Sequence, residues 1–137
     1  MNFEILKSQK GDECSSAVTK FTEETGQITS PGYPNQYRDN QLCQYTITVG
    51  IRSKIVVDFK YFLTEGKHDR VVIYDGNTTS APVLGDFSGS SIPPQITSTK
   101  NKIFIKFSTD GSTTYRGFKL NYRSVYAKRK INLVTFM

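Results

Sequence analysis

Hydrophobic and polar side chains alternate one by one along several segments of the chain. In QYTITV (44–49), Tyr45, Ile47 and Val49 point one way, and polar residues point the other way. The same period of two recurs in the segments 54–62, 70–76, 101–111 and 117–126. This period is typical of a β-strand with one buried face, and the β-branched and aromatic residues in these segments also favour strands. The pattern predicts an all-β protein.

The alternation also predicts which side chains share a face. In the segment 54–62 it places Phe59 and Tyr61 on one face and Phe62 on the opposite one. Phe107 and Phe118 fall on the faces that carry the other large apolar residues of their segments, so the period of two predicts that both belong to the core.

The connecting segments are rich in glycine, proline and small polar residues. Pro31 and Pro34 have a fixed φ and no N–H, so the run SPGYP cannot be a central strand. Gly32 and Gly76 are expected in backbone conformations that are costly for other residues. A short turn near residues 15–22 is the one helical feature that the pattern allows. Many short strands separated by such turns predict an antiparallel sandwich or barrel.

Length and charge narrow the class of protein. A chain of 137 residues suits one domain, and its net charge of +6 is spread along the sequence without a run of five basic residues, which argues against nucleic-acid binding. No stretch approaches the roughly 20 apolar residues of a membrane span. Residues 1–14 contain no apolar segment of signal-peptide length, so either secretion is not the route or the signal has been removed.

The residues with reactive side chains are few. Cys14 and Cys43 could form one disulfide or remain two buried thiols, and a single histidine with no CxxC motif gives no metal-binding signature. His68 precedes Asp69, but no serine lies in a nucleophile-elbow motif, so an exposed loop histidine is favoured and no enzyme is predicted. Asn77 begins the only N-x-S/T sequon, and a glycan there is possible after eukaryotic secretion.

Five short motifs follow one another along the chain. They are Gly26–Pro34 with the following Tyr37, Cys43–Ile47, Tyr74–Gly76, Phe107–Asp110 and Gly117–Tyr122. Through these motifs the region from Cys14 to Tyr126, about four-fifths of the chain, resembles the CUB domain, an extracellular module.

The resemblance implies a fold and a compartment. The fold is an antiparallel two-sheet β-sandwich, a jelly roll of about 8–10 strands, over residues 14–126, with extensions at 1–13 and 127–137. The family pairing implies a disulfide between Cys14 and Cys43, hence an oxidising, extracellular site with the signal peptide removed. The second family disulfide is missing: one cysteine would lie in the 65–69 loop and the other at Ser88.

The resemblance also implies a calcium site. The family ligands correspond to Glu65, Asp69 and Asp110, with a main-chain carbonyl near Ser112 as a further candidate, and the tyrosine that orients the glutamate corresponds to Tyr37. Calcium is a hard cation that takes six or more oxygen ligands, so three carboxylates form a plausible shell.

A simpler alternative explains the same acids without a metal. Glu65 and Asp69 could be solvated loop charges with Lys67 or Arg70 as salt-bridge partners, each pair worth under about 1 kcal/mol.

The function implied by the resemblance is recognition of an extracellular protein. The calcium site would order an acidic surface, formed by Tyr37, Glu65 and Asp110, that receives an exposed Lys or Arg of the partner. One alternative is a module of spermadhesin type that binds an anionic glycan or membrane surface, with the basic tail Lys128–Lys130 as a candidate contact. Another is an accessory domain of an extracellular protease.

Overall fold

The computed structural model describes residue 14 and residues 17–126, and this part of the chain forms nine β-strands. In chain order they are β1 (Thr19–Phe21), β2 (Thr25–Thr29), β3 (Leu42–Thr48), β4 (Ser53–Leu63), β5 (Arg70–Tyr74), β6 (Val83–Phe87), β7 (Ile96–Thr97), β8 (Lys102–Ser108) and β9 (Gly117–Tyr126). The predicted extensions 1–13 and 127–137, with the basic tail, lie outside the described residues.

The strands form two sheets that confirm the predicted sandwich. One sheet has the order β1-β3-β8-β5-β6, and the other has the order β2-β9-β4-β7. Every pairing is antiparallel except that of β1 with β3, in which Lys20 lies opposite Thr46. None of the residues that the structure describes forms a helix long and apolar enough to cross a membrane.

Strand β1 is a correction to the turn expected near residues 15–22. Thr19–Phe21 is extended because it pairs with β3, about 26 residues further along the chain. Such a long-range parallel pairing leaves no local pattern, and a three-residue strand is too short to show an alternation of its own.

The core lies between the two sheets and is built from the alternating residues. An edge-to-face series of rings crosses it, with centroid distances of 5.1 Å for Tyr37–Phe107, 5.2 Å for Phe107–Phe118 and 6.2 Å for Phe59–Phe118. Phe107 and Phe118 are fully buried, as predicted. The series connects the middle of the core to Tyr37, at one end of the sandwich.

Strand β4 departs from strict alternation. Its register with β9 shifts between Phe59 and Tyr61, so Phe62 enters the core and Tyr61 is only half-buried. The extra residue of a bulge reverses the face of everything that follows it. The face predicted for Tyr61 and Phe62 was therefore wrong.

Strand β5 is buried on both faces. Val72 and Tyr74 point away from the main core and pack with Phe104 of β8, under Val18 and Ala81, in a second small cluster. Residues that alternation assigns to the outside are therefore covered by the chain segments that cross this sheet.

The two glycines singled out in the sequence are needed for different reasons. Gly32 has a φ of +81°, in a turn where the N–H of Tyr33 donates to Ser30 O and that of Asn35 to Gly32 O. Gly76 is not left-handed; a Cβ there would lie 2.7 Å from Cβ of Ala81. The expected backbone conformation, which is costly for other residues, is therefore found at Gly32 and not at Gly76.

The disulfide between Cys14 and Cys43 is confirmed, with the two Cα atoms 5.3 Å apart. The backbone N–H of Cys14 also donates to Gln41 Oε1 at 2.9 Å. The start of the described chain is thus tied to β3.

Hydrogen bonds join the loops that the second family disulfide would link. The N–H of Lys67 donates to Ser88 Oγ at 2.9 Å. Thr64 and Gly89 bond each other twice, from Thr64 N–H to Gly89 O (2.9 Å) and from Gly89 N–H to Thr64 Oγ1 (3.0 Å). This end of the sandwich keeps its cross-connection without the covalent bond.

Candidate metal centre

Three strand ends bring the predicted acidic residues together. Glu65 follows β4, Asp69 immediately precedes β5, and Asp110 follows β8. Because β5 and β8 are antiparallel neighbours with Arg70 opposite Ser108, the residues just before β5 and just after β8 lie side by side. One oxygen from each of the three carboxylates lies within 4.8 Å of the other two.

Asp69 is the fully buried member of this group, with no exposed surface. Its Oδ2 accepts a hydrogen bond from the Tyr37 hydroxyl (2.7 Å), and its Oδ1 accepts one from the backbone N–H of Asp110 (2.9 Å). Each carboxylate oxygen therefore has one donor, and together they join the segment of Tyr37 to the β8–β9 loop.

Tyr37 lies beneath the site rather than at its surface. It is 2% exposed, and its hydroxyl donates to Asp69 while accepting the backbone N–H of Glu65 at 3.2 Å. The resemblance implied that this tyrosine orients the glutamate; in the structure it holds the glutamate's backbone and the aspartate's carboxylate. Burial raises the pKa of the Tyr37 hydroxyl far above its usual value, so it remains a donor.

A tight turn presents Glu65 and Asp69 together. The backbone N–H groups of His68 and Asp69 both donate to Glu65 O, at 3.2 and 3.0 Å, and Thr64 Oγ1 donates to Asp69 O at 2.9 Å. This turn accounts for the close spacing of two acids in the sequence.

Asp110 lies at the surface of the site. Its Oδ1 accepts the backbone N–H of Ser112 at 3.2 Å, and its Oδ2 lies 3.6 Å from Nδ1 of His68. The side chains of His68 and Asp110 are 59% and 40% exposed. His68 is the exposed loop histidine that the sequence favours, and it adjoins the acidic group.

The electrostatic environments of the three acids differ. Burial, with the nearby Asp110 and Asp69 carboxylates, raises the pKa of Glu65. Burial also raises the pKa of Asp69, although the hydrogen bonds from Tyr37 and Asp110 oppose this. The backbone N–H of Ser112 lowers the pKa of Asp110. Two of the three carboxylates are thus held in surroundings that disfavour their negative charge.

The oxygen atoms fit a hard cation. Glu65 Oε1 is buried and has no hydrogen-bond partner in the described part of the protein, which is costly for a carboxylate oxygen. Three carboxylates without nitrogen or sulfur ligands suit Ca²⁺ or Mg²⁺ rather than Zn²⁺. The Ser112 carbonyl as a ligand stays a prediction.

The salt bridges offered as the alternative are not formed. Arg70 pairs with Asp86 on β6, with its Nε 3.1 Å from Asp86 Oδ1. Across the residues that the structure describes, neither Lys67 nor Arg70 forms an ion pair with Glu65 or Asp69.

The segment 38–41 supports the site, although it was not singled out in the sequence. The N–H of Asn40 donates to Asp110 O at 2.8 Å, and Gln41 and Thr109 bond each other through Gln41 N–H to Thr109 Oγ1 (2.7 Å) and Thr109 N–H to Gln41 O (2.9 Å). The signal available in the sequence was the position of this segment just before Cys43. Cys43 lies on β3, which pairs with β8, and β8 ends just before Asp110.

The structure is a two-sheet β-sandwich whose loops bring three carboxylates together at one end. The chain belongs to the CUB domain family, whose model matches residues 14–122. CUB domains occur in extracellular proteins. The fold, the disulfide and the family therefore agree with the resemblance in the sequence.

Known proteins similar to the chain include much longer ones. It is 37% identical to rat (Rattus norvegicus) cubilin over 123 residues, 86% of this chain and 3% of cubilin. It is 35% identical to the zinc metalloproteinase nas-39 of Caenorhabditis elegans over 108 residues, 76% of this chain and 12% of nas-39. The chain thus spans a small part of these relatives.

One similar solved structure contains calcium. The MASP-1 CUB2 domain bound to Ca²⁺ is 34% identical to this chain, with a TM-score of 0.70, over 80% of this chain and 99% of that one.

Proposed function

We propose that this chain is an extracellular recognition module that binds Ca²⁺ through Glu65, Asp69 and Asp110 and receives a basic side chain of a protein partner at the same site. The observation that carries the proposal is the convergence of three carboxylates within 4.8 Å, one of them with a buried oxygen that lacks a partner. The calcium bound to a similar CUB domain supports the choice of ion.

Calcium would supply the positive charge that the three carboxylates lack. Burial and the repulsion of neighbouring carboxylates raise the pKa of Glu65 and of Asp69, so both effects disfavour the charged form of these two side chains. A divalent cation offsets both, and it would give Glu65 Oε1 a partner.

The site has a buried part and a surface part. Asp69 and Tyr37 are almost completely buried and position the other groups. Asp110 is partly exposed, and Glu65 is half-buried with only its Oε1 fully covered, so solvent reaches Asp110 and the rest of Glu65. A Lys or Arg of the partner would therefore meet Glu65 and Asp110, while Tyr37 positions them from below.

Calcium is expected to raise the midpoint of thermal unfolding. Extracellular calcium modules have dissociation constants of about 10⁻⁴ to 10⁻³ M, so an ion concentration of about 10 mM would add roughly 1.4 to 2.7 kcal/mol. That corresponds to a shift of about 5 to 12 °C for a domain of this size. The measurement is a melt followed by circular dichroism, in calcium and in chelator.

Two variants and one control locate the effect. Glu65→Gln and Asp110→Asn each remove one ligand charge and should abolish most of the shift. Asp58→Asn, which changes an exposed carboxylate of β4 bonded to Gln95, should leave it unchanged. A shift that survives in both ligand variants would place the calcium elsewhere.

Recognition of a basic group is tested with a small probe. Nα-acetyl-lysine methylamide should shift the backbone amide NMR signals of residues 65–69 and 110–112 in calcium and not in chelator, whereas the norleucine analogue should shift neither. Calcium-induced stabilisation without this response would retain the metal site and reject the recognition role.

The disulfide also supports the proposed place of action. The disulfide between Cys14 and Cys43 requires an oxidising compartment, which supports secretion. Asn77 is exposed in the loop between β5 and β6, and its glycosylation stays a prediction. The similarity to a segment of a zinc metalloproteinase supports a role as an accessory domain within a longer protein.

A further inference from the structure

A cleft on the outer face of the five-stranded sheet is not part of the metal centre. It has a volume of about 440 Å³, and we call it the outer groove. Its lining comes from β1, β3, β8 and the loop between β5 and β6: Val18, Lys20, Phe21, Thr22, Thr46, Thr48, Asn77, Thr78, Lys102 and Phe104. It contains two lysines and no acidic residue.

The strand register sets the layout of the outer groove. Lys20, Thr46 and Phe104 lie in one cross-strand row, and Thr48 and Lys102 lie in the next row of that face. Two strand spacings and an offset of two residues separate the Lys20 and Lys102 Cα atoms by about 12 Å. Two long lysine side chains at that separation can reach one group held between them.

The charges in the outer groove are uncompensated. Arg70 on the same sheet pairs with Asp86, whereas neither Lys20 nor Lys102 has an ion-pair partner within the described part of the chain. The side chains of Thr46, Thr48 and Asn77 likewise form no hydrogen bond with another described residue. These five residues thus offer two ammonium groups, two hydroxyls and one amide that have no partner among the described residues.

We propose that the outer groove binds an anionic saccharide, a sugar that carries sulfate or carboxylate groups, between Lys20 and Lys102. Sugar hydroxyls would exchange hydrogen bonds with Thr46, Thr48 and Asn77, and the anionic groups would meet the two ammoniums. The cleft is concave, and its lysine, threonine and asparagine side chains lie beside the apolar surface of Val18 and Phe21. A saccharide can enter such a cleft, whereas a flat membrane surface cannot, so the shape favours a saccharide. This places anion binding on the sandwich rather than on the basic tail.

The outer groove is independent of the calcium proposal. Its residues belong to other strands and loops than Glu65, Asp69 and Asp110, so chelation of calcium should leave saccharide binding unchanged. Failure of one proposal is therefore distinguishable from failure of the other.

The test is calorimetric titration of the full 137-residue chain, produced without N-glycans because Asn77 lines the groove, with a heparin-derived tetrasaccharide. We expect binding that weakens with salt. Lys20→Gln and Lys102→Gln should each lower the affinity about fivefold, the value of one partly exposed ionic contact. The desulfated, N-acetylated tetrasaccharide should bind far more weakly.

Two further variants distinguish specific binding of the tetrasaccharide in the outer groove from its general electrostatic attraction to a basic protein. Lys60→Gln/Arg123→Gln removes two charges from the opposite sheet, one more than either lysine variant, and should leave the affinity nearly unchanged. Thr46→Val keeps shape and charge but loses a hydroxyl, and it should weaken binding. The proposal is overturned if the tetrasaccharide does not bind, if the control lowers affinity as much as the lysine variants, or if Thr46→Val has no effect.

Discussion

Asp69→Ala is expected to lower the free energy of unfolding by about 3 to 4 kcal/mol, even in the absence of calcium. The substitution leaves two donors without an acceptor in a buried site: the Tyr37 hydroxyl and the backbone N–H of Asp110. Each buried unsatisfied group costs about 1 to 3 kcal/mol, and loss of a buried carboxylate with its partners is among the larger single effects. Urea unfolding in chelator, followed by circular dichroism, measures the difference.

Asp69→Asn is the matched variant. It keeps the shape, its amide oxygen can still accept the Asp110 N–H, and its NH2 can donate to the Tyr37 oxygen, although the Tyr37 O–H then loses its acceptor. It also removes a charge that burial disfavours. We expect it to be much more stable in chelator than Asp69→Ala and to lose the calcium response. If the alanine variant were as stable as the unsubstituted protein, Asp69 would not be the structural centre of the site.

Removal of the disulfide is expected to cost about 3 to 4 kcal/mol. The bond between Cys14 and Cys43 closes a loop with a sequence separation of 29, and the chain-entropy relation gives a value of that size. Because small domains have total stabilities of about 5 to 15 kcal/mol, the reduced protein should be marginal at physiological temperature. Unfolding curves with and without reductant give the comparison.

The double variant Cys14→Ser/Cys43→Ser provides the control. It should have about the stability of the reduced protein and should not respond to reductant. A loss below about 1 kcal/mol would mean that the hydrogen bond from Cys14 N–H to Gln41 and the neighbouring contacts hold this segment without the crosslink.

Much of the fold could be predicted because burial on a sheet has a period of two. The alternation in 44–49 corresponds to β3, and Tyr45 and Ile47 are buried as expected. The prediction from this pattern was wrong in two places. The bulge in β4 exchanged the faces of Tyr61 and Phe62, and the pairing of β1 came from a distant strand.

The candidate site was accessible to sequence reasoning only through its resemblance to a family. Nothing in the spacing of Glu65, Asp69 and Asp110 places the third acid beside the first two, since 41 residues separate Asp69 from Asp110. The division of roles among them was also hidden. Burial decides that Asp69 is a structural centre while Asp110 faces solvent, and burial depends on the whole sandwich.

The amino-acid sequence by itself determined the strand character, the turns and the supply of acidic residues, because these depend on side-chain chemistry and on neighbours close along the chain. The tertiary structure alone decided which acidic residues come together, which lysines line the outer groove and which carboxylate forms an ion pair with Arg70. Those outcomes depend on strand register, and register brings together residues far apart in sequence only when the two sheets pack.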